Sequence, residues 1–272
     1  MRKPLAKADA HNTQRQRDLA VSYERVGNVL MAQGNLTEAL QAYRDSLAIK
    51  QRLTKVDPGN AGWQRDLLVS YSKVGDVLLA QDKLDDALAA HRAALAIAER
   101  LSKADPANTL WQRDLSVSYN KVGDVLLAQG KLAEALDSYR ASLAVFASLT
   151  KLDPGNADWL RDLSVAHDRV AQVLTAQGHL TEALQAYRES LAIAEQLAKA
   201  DPSNTEWQED LAGSYPPLVA LLVKLGNIRQ ALIELHKGRE LVAQLAVSAP
   251  NNAQWKIDLA WFDREITRLE AE

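Results

Sequence analysis

Residues 111–158 read WQRDLSVSYNKVGDVLLAQGKLAEALDSYRASLAVFASLTKLDPGNAD, and this stretch determines what the chain can fold into. It is identical to residues 63–110 at 30 of 48 positions. A tryptophan opens each copy and recurs every 48 residues, at Trp63, Trp111, Trp159, Trp207 and Trp255. A fixed period of this length is typical of an array of small structural repeats.

The period divides the chain into five repeats, a short stub and a final half-repeat. The stub spans residues 1–14 and aligns with the end of a repeat. The repeats span residues 15–62, 63–110, 111–158, 159–206 and 207–254. Residues 255–272 are predicted to form a capping helix over the apolar end of the array. Repeat 5 diverges, because Pro216-Pro217 falls within its first helix and is expected to kink or split it.

Apolar residues within one repeat follow helical spacing. Steps of three and four residues give two stripes, Trp111, Leu115, Tyr119, Val122 and Leu126, then Leu132, Leu136, Tyr139, Leu143 and Phe146. Gly130 separates the stripes, and glycine readily adopts the positive φ that ends a helix. Asp153-Pro154 ends the second helix, and Asn156 is a favourable N-cap for the next. Each repeat is therefore predicted to be two antiparallel helices of about 18–22 residues.

A single hairpin cannot bury both of its apolar stripes. Stacking against neighbouring hairpins buries them, which predicts an all-α solenoid. The periodic tryptophans are expected to pack on the preceding repeat. Arg15 occupies the tryptophan position of repeat 1, as expected where only the short stub precedes it.

The overall composition excludes several classes of function. The 32 basic and 35 acidic residues leave a net charge of −3, without the basic field that nucleic-acid binding needs. The absence of cysteine excludes disulfides and thiolate metal sites. The first residues lack the apolar run of a secretory signal, and no apolar stretch predicts a membrane span. We therefore expect a cytoplasmic protein without a cofactor or bound metal.

The spacing Tyr119, Gly123, Gly130, Ala135, Tyr139 resembles the tetratricopeptide repeat family. The same positions recur in the other repeats, with substitutions such as Asp82 for the turn glycine. The repeat is 14 residues longer than the family's usual 34, and resembles long-helix members such as kinesin light chains. The resemblance implies a right-handed superhelix whose concave groove is lined by first helices and binds peptides or partner domains.

The resemblance also points to the groove residues, which form i, i+4 pairs on successive first helices: Glu24 and Asn28, Ser72 and Asp76, Asn120 and Asp124, and Asp168 and Gln172. These positions vary among repeats that are otherwise near-copies, as a binding surface would. Their acidity favours a basic or amide-rich partner. Alternatively, they are solvated positions whose charge is offset by Arg25, Lys73, Lys121 and Arg169. No lysine stands where some family members hold a C-terminal carboxylate.

The sequence contains no residue pattern that supports a catalytic function. An aspartate recurs in every first helix, but carboxylates one repeat apart are too far for paired acid–base work. A structural role is expected instead, near a helix N-terminus or paired with an Arg or Lys. The histidines form no ligand-spaced cluster, and His91 and His167 replace tyrosines of other repeats. No nucleotide-binding or nucleophile motif is present, so we predict that the chain is not an enzyme.

The leading interpretation is a scaffold or adaptor for protein–protein interaction. One alternative is self-assembly, either end to end or as a dimer through Trp261 and Phe262. Another is the sensor arm of a larger signalling protein. No residue pattern in the sequence identifies a particular partner.

Overall fold

Helices make up nearly all of the part of the chain that the computed structural model describes, residues 12–249 and 251–271, which contains no strand. Eleven helices follow one another in these residues: α1 (Thr13–Ala32), α2 (Leu36–Val56), α3 (Ala61–Ala80), α4 (Leu84–Ala104), α5 (Thr109–Ala128), α6 (Leu132–Leu152), α7 (Ala157–Gln177), α8 (Leu180–Ala200), α9 (Thr205–Lys224), α10 (Ile228–Ser248) and α11 (Ala253–Glu270). The predicted all-α class and helix lengths are confirmed.

The helix ends lie where the capping asparagines, the Asp-Pro pairs and the turn glycines predict them. Asn156 accepts a hydrogen bond from the backbone N–H of Trp159 at 3.1 Å, so it caps α7 as expected. Asparagines cap the other first helices in the same way, at positions 12, 60, 108, 204 and 252. In the tight turns within hairpins, Gly130 has a φ of +73°. Asp82, at the equivalent turn, has a φ of +57°, an uncommon conformation for a residue with a side chain.

The chain divides into two compact units, an N-terminal unit that ends at Val145 and a C-terminal unit that begins at Phe146, within α6. In the N-terminal unit, the helices from α1 to α5 pack in sequential order, α1 on α2, α2 on α3, α3 on α4 and α4 on α5. Trp63 of α3 packs on the cluster that Leu19 and Ile49 form in the first hairpin. Trp111 of α5 packs in the same way on the cluster around Leu67 and Ile97. Each of these tryptophans therefore joins its helix to the preceding hairpin.

In the C-terminal unit, α7 to α11 also pack in sequential order. The last helix, α11, buries Trp255, Phe262, Ile266 and Leu269. The Phe262 ring lies against Gly238 of α10, where an added Cβ would lie 2.5 Å from the ring. With 2% of its surface exposed, Phe262 belongs to the core. Phe262 is therefore not available to a dimer surface, because the glycine opposite lets the ring pack inside, whereas dimerisation through Trp261 stays a prediction.

Pro216-Pro217 does not split the helix, since α9 runs unbroken from Thr205 to Lys224, whereas the kink expected there stays a prediction. The two prolines lack N–H groups, so the carbonyls of Ala212 and Gly213 lose their usual helical donors. Tyr215 and Leu218 next to the prolines are buried, at 4% and 1% exposure. This burial on both sides of the prolines holds the two halves in one helix.

The repeat boundaries placed at the tryptophans cut two residues into each first helix, because α3, α5, α7 and α9 begin two residues earlier. Residues 1–11 of the predicted stub lie outside the described residues. Asn12 caps α1, and residues 13–14 already belong to that helix.

Asp66, Asp114 and Asp210 of the recurring aspartates pair with arginines of the preceding repeat. Arg65 donates to Asp114 through Nε at 2.5 Å and through a second guanidinium nitrogen at 3.2 Å. Arg17 donates to Asp66 at 2.7 Å, and Arg161 makes the same pair with Asp210. The two partners are 49 residues apart in each pair. These carboxylates therefore tie successive first helices together and are not gathered into one acidic site.

Candidate partner-binding surface

The eight candidate groove residues lie in the C-terminal halves of their first helices. In the N-terminal unit they lie on α1, α3 and α5, and in the C-terminal unit Asp168 and Gln172 lie on α7. Asn28 and Gln172 are exposed, whereas the other six are half-buried. We call the candidate residues on the first helices of each unit the first-helix surface of that unit.

Hydrogen bonds connect this surface from helix to helix within the N-terminal unit. Lys73 of α3 donates to Asn28 of α1 at 3.0 Å. Lys121 of α5 donates to Asp76 of α3 at 2.8 Å. The pairs on α1, α3 and α5 therefore adjoin one another and form one continuous strip.

The acidic charge of this strip is largely compensated from within the chain. Glu24 accepts from Lys50 Nζ at 2.6 Å and from the Ser70 hydroxyl at 2.8 Å. Asp76 is paired with Lys121. The strip is therefore less available to a basic partner than its sequence indicates, and Lys121 offsets charge as the alternative interpretation expected.

Lys50 is the residue that sequence reasoning missed. Its side chain is 4% exposed, and its ammonium also donates to the backbone carbonyl of Asp66 at 3.1 Å. Burial of lysine at this level requires a paired charge and hydrogen bonds. A signal existed in the repeats, because alanine or phenylalanine stands at the same position in repeats 2 to 4, as Ala98, Phe146 and Ala194.

In repeats 1 to 3, the second residue of the pair contacts an aromatic ring of the second helix. The hydroxyl groups of Tyr43 and Tyr139 donate to Asn28 and Asp124, both at 2.8 Å. Each ring passes over a helical glycine, and an added Cβ on Gly123 would lie 2.5 Å from the Tyr139 ring. The small residue of the repeat pattern is therefore required by close approach of a ring to the helix backbone.

In repeat 2 the ring is His91, which is fully buried above Gly75 with Nε2 at 3.7 Å from Asp76. Burial lowers the pKa of His91 to about 4, with Lys121 lowering it further and Asp76 opposing the shift. The imidazole is thus neutral at pH 7 and fills the place of a tyrosine, as expected.

The pKa of His91 predicts a pH-dependent stability. The unfolded chain protonates this histidine near its ordinary pKa of 6.5, whereas the folded chain does so only near 4. The neutral imidazole therefore contributes fully to the free energy of unfolding above pH 6.5. This contribution is lost as the pH falls towards 4. We expect the free energy of unfolding to be about 2 kcal/mol lower at pH 5 than at pH 7 from this group alone. Chemical denaturation followed by circular dichroism measures it.

The matched control is His91→Tyr, which restores the residue of repeats 1 and 3. Other groups, including Asp168, titrate in both proteins, so the difference between the two pH profiles isolates His91. Parallel profiles from pH 7 to pH 5 would show that the histidine is not buried as described.

Asp168 differs from the other acids of the first-helix surfaces. Burial raises the pKa of Asp168 to about 6, with a hydrogen bond from Ser190 opposing the shift and Asp210 adding to it. Among the described residues, Asp168 forms no ion pair of the kind that joins Glu24 to Lys50. It is therefore an acidic group on the first-helix surface of the C-terminal unit whose charge stays uncompensated.

Neither a metal site nor a membrane span is found in the described part of the chain. No group of three acidic or histidine side chains there is arranged to hold a metal ion. No described helix combines the length and the apolar character that crossing a bilayer demands.

Family models for the tetratricopeptide repeat match residues 19–58, 67–108 and 114–196, together more than half of the sequence. The chain belongs to the tetratricopeptide repeat family. Tetratricopeptide repeat proteins generally mediate protein–protein interactions, and their repeat scaffold is generally non-enzymatic. A comparison with curated proteins finds no match.

Solved structures of tetratricopeptide repeat type share this fold. BtubC (BKLC) from P. vanneervenii aligns with a TM-score of 0.69 and 16% identity, over 90% of this chain and 87% of that one. Nearly identical, kinesin light chain-like TPR-like repeats from Podosopora anserina align with a TM-score of 0.62 and 16% identity, over 86% and 98%. The apo form of RapI aligns with a TM-score of 0.62 and 17% identity, over 93% and 80%. At such identities the likeness concerns the fold alone.

Proposed function

We propose that this tetratricopeptide repeat protein is a protein–protein interaction scaffold that binds a partner polypeptide along its first-helix surfaces. The observation that carries the proposal is the strip on α1, α3 and α5. Hydrogen bonds between neighbouring helices hold it together, while its residues differ from repeat to repeat. The packing residues beneath it are near-copies. Near-identical packing residues beneath variable surface residues suit the recognition of one extended partner.

The partner carries at least one cationic side chain. Lys50 and Lys121 already compensate Glu24 and Asp76, so the strip itself favours polar, amide-rich contacts. The uncompensated carboxyl of Asp168 then supplies the acidic contact. Buried or partly buried charge pairs of this kind favour specificity over raw affinity.

Ser72→Arg combined with Gln172→Arg tests these surfaces, because both side chains lie on them and neither is part of an ion pair in the described residues. We expect partner recovery in affinity capture from the native host to fall at least tenfold, with an unchanged circular dichroism spectrum. New bulk and positive charge would block a cationic partner.

A matched control adds the same two charges on second helices, as Ala89→Arg with Gln185→Arg, at exposed positions. Equal recovery with both double variants contradicts binding on the first-helix surfaces.

Self-assembly remains the second candidate function, and one observation favours it. A cavity of about 800 Å³ lies between α1 and α2 and is lined by apolar residues that include Leu19, Tyr23 and Ile49. Light scattering over a concentration series distinguishes a self-assembling protein from a monomer. A mass that grows with concentration supports end-to-end assembly, and a constant monomer mass at high micromolar concentration excludes it.

A further inference from the structure

A small cavity of about 80 Å³ lies beside Asp168, where the fourth repeat meets the fifth. Its lining includes Asp168 of α7, Ala194 of α8, and Asp210 and Ser214 of α9. All four residues belong to the C-terminal unit. The volume corresponds to about two or three water-sized groups.

The first repeat shows what the equivalent place can hold. There, the Lys50 ammonium donates to the Glu24 carboxylate at 2.6 Å and to the Asp66 carbonyl at 3.1 Å. The Ser70 hydroxyl donates to the same carboxylate at 2.8 Å. This set binds an ammonium group that is almost completely buried.

The residues around the Lys50 ammonium recur 144 residues later, where the fourth repeat meets the fifth. Asp168 stands for Glu24, Asp210 for Asp66 and Ser214 for Ser70. Only the lysine is missing, since Ala194 stands for Lys50. Repeats 2 and 3 have Ser72 and Asn120 in place of the acid, so the acid without its lysine is specific to repeat 4.

We propose that the cavity bounded by Asp168, Ala194, Asp210 and Ser214 is a binding site for a primary ammonium group, supplied by a lysine side chain of the partner polypeptide. The lysine source rests on the proposed function, whereas the ammonium site itself does not. Asp168 and the Asp210 carbonyl accept from the ammonium, as Glu24 and the Asp66 carbonyl accept from Lys50. The Ser214 hydroxyl donates to the Asp210 carbonyl in this structure and stands where Ser70 donates to the carboxylate in the first repeat. These two acceptors take two of the three N–H donors of a primary ammonium, the same number that Lys50 uses in the first repeat.

The charges around the cavity leave Asp168 as the available partner. The Asp210 carboxylate is already paired with Arg161, which also contacts Glu206 at 2.5 Å. Among the described residues, no cation forms an ion pair with the Asp168 carboxylate. Burial holds the pKa of Asp168 above its usual range, in keeping with this. Val165 and the Arg161 side chain, 39% and 36% exposed, line the cavity and leave it open towards solvent.

A small probe tests the site without any partner. n-Butylammonium reproduces the end of a lysine side chain, and tetramethylammonium has the same charge without N–H donors. In NMR titrations at pH 7.5, we expect n-butylammonium to cause saturable chemical-shift changes in the amides of repeat 4. The Kd should be on the order of 1–10 mM. We expect at least tenfold weaker binding to Asp168→Asn, and none with tetramethylammonium. Equal response to both ions, or to both proteins, overturns the site.

A lysine introduced into the chain beside the cavity gives a second test. Ala194→Lys places a lysine where Lys50 stands in repeat 1, so it should occupy the cavity, lower the pKa of Asp168 and abolish n-butylammonium binding. Its denaturation midpoint should fall markedly further when Asp168→Asn is added. The matched control is Ala98→Lys, which faces Ser72 and should lower the midpoint by itself. If Ala194→Lys lowers it as much as Ala98→Lys does, the acceptor set does not hold ammonium.

The two proposals fail in different ways. Asp168→Asn should reduce partner capture at least fivefold if a lysine occupies the site. Undiminished capture together with n-butylammonium binding overturns the lysine and leaves a site for small free amines. Capture that is insensitive to Ser72→Arg with Gln172→Arg rejects the first-helix surfaces, while the titration still decides the ammonium site.

Discussion

Replacing Phe262 with alanine is expected to lower the free energy of unfolding of the C-terminal unit by about 3–5 kcal/mol. The ring is 2% exposed and fills the space above Gly238, which has no side chain to take its place. Trp261 packs edge-on against the same ring, with centroids 4.9 Å apart. Removing the ring leaves a cavity between α10 and α11 that the short glycine cannot fill.

Because α11 is held mainly by this buried face, its amide protons should lose protection first. Hydrogen exchange of residues 253–270, together with chemical denaturation, measures the effect. Ile257→Ala on the same helix is the matched control, since Ile257 is 60% exposed and its loss should cost less than about 0.5 kcal/mol. Similar exchange in the two variants would mean that α11 is not anchored by Phe262.

Trp111→Ala is expected to have the second largest effect, about 3 kcal/mol. Trp111 packs on the cluster of Leu67, Ile97 and their neighbours in the preceding hairpin, but it is only half-buried, which places the cost at the lower end of the usual range. In a repeat array each hairpin contacts mainly its neighbours, so the loss should be local. Helices α8 to α11 should keep their hydrogen-exchange protection.

Leu110→Ala is the control for this change, because Leu110 lies next to Trp111 and is 47% exposed. Denaturation midpoints of the two variants should differ clearly. A Trp111→Ala protein as stable as Leu110→Ala would show that the tryptophan does not join α5 to the preceding hairpin.

Much of the fold can be predicted from the sequence because its determinants are local. Apolar spacing, the capping asparagines and Gly130 act within a few residues of where they stand, and repetition confirms each of them several times over. The pairing of Arg65 with Asp114 spans 49 residues, yet it follows from the same period.

The exceptions depend on what surrounds a residue in three dimensions. Lys50 looks like an ordinary surface lysine, but its long side chain reaches Glu24 on the neighbouring helix. Pro216-Pro217 reads as a break, but buried neighbours keep α9 intact. Phe262 reads as an exposed aromatic until Gly238 is placed opposite it. None of these contacts has a signature within its own stretch of sequence.

The arginine–aspartate pairs between successive first helices bear on how such a protein changes in evolution. Repeats 1, 2 and 4 each provide the arginine for the following repeat, and repeats 2, 3 and 5 provide the aspartate that receives it. A duplicated copy of residues 63–110, inserted before Trp111, would therefore meet compatible partners at both of its new junctions. Gene duplication can lengthen this chain one step at a time without any accompanying compensatory mutation.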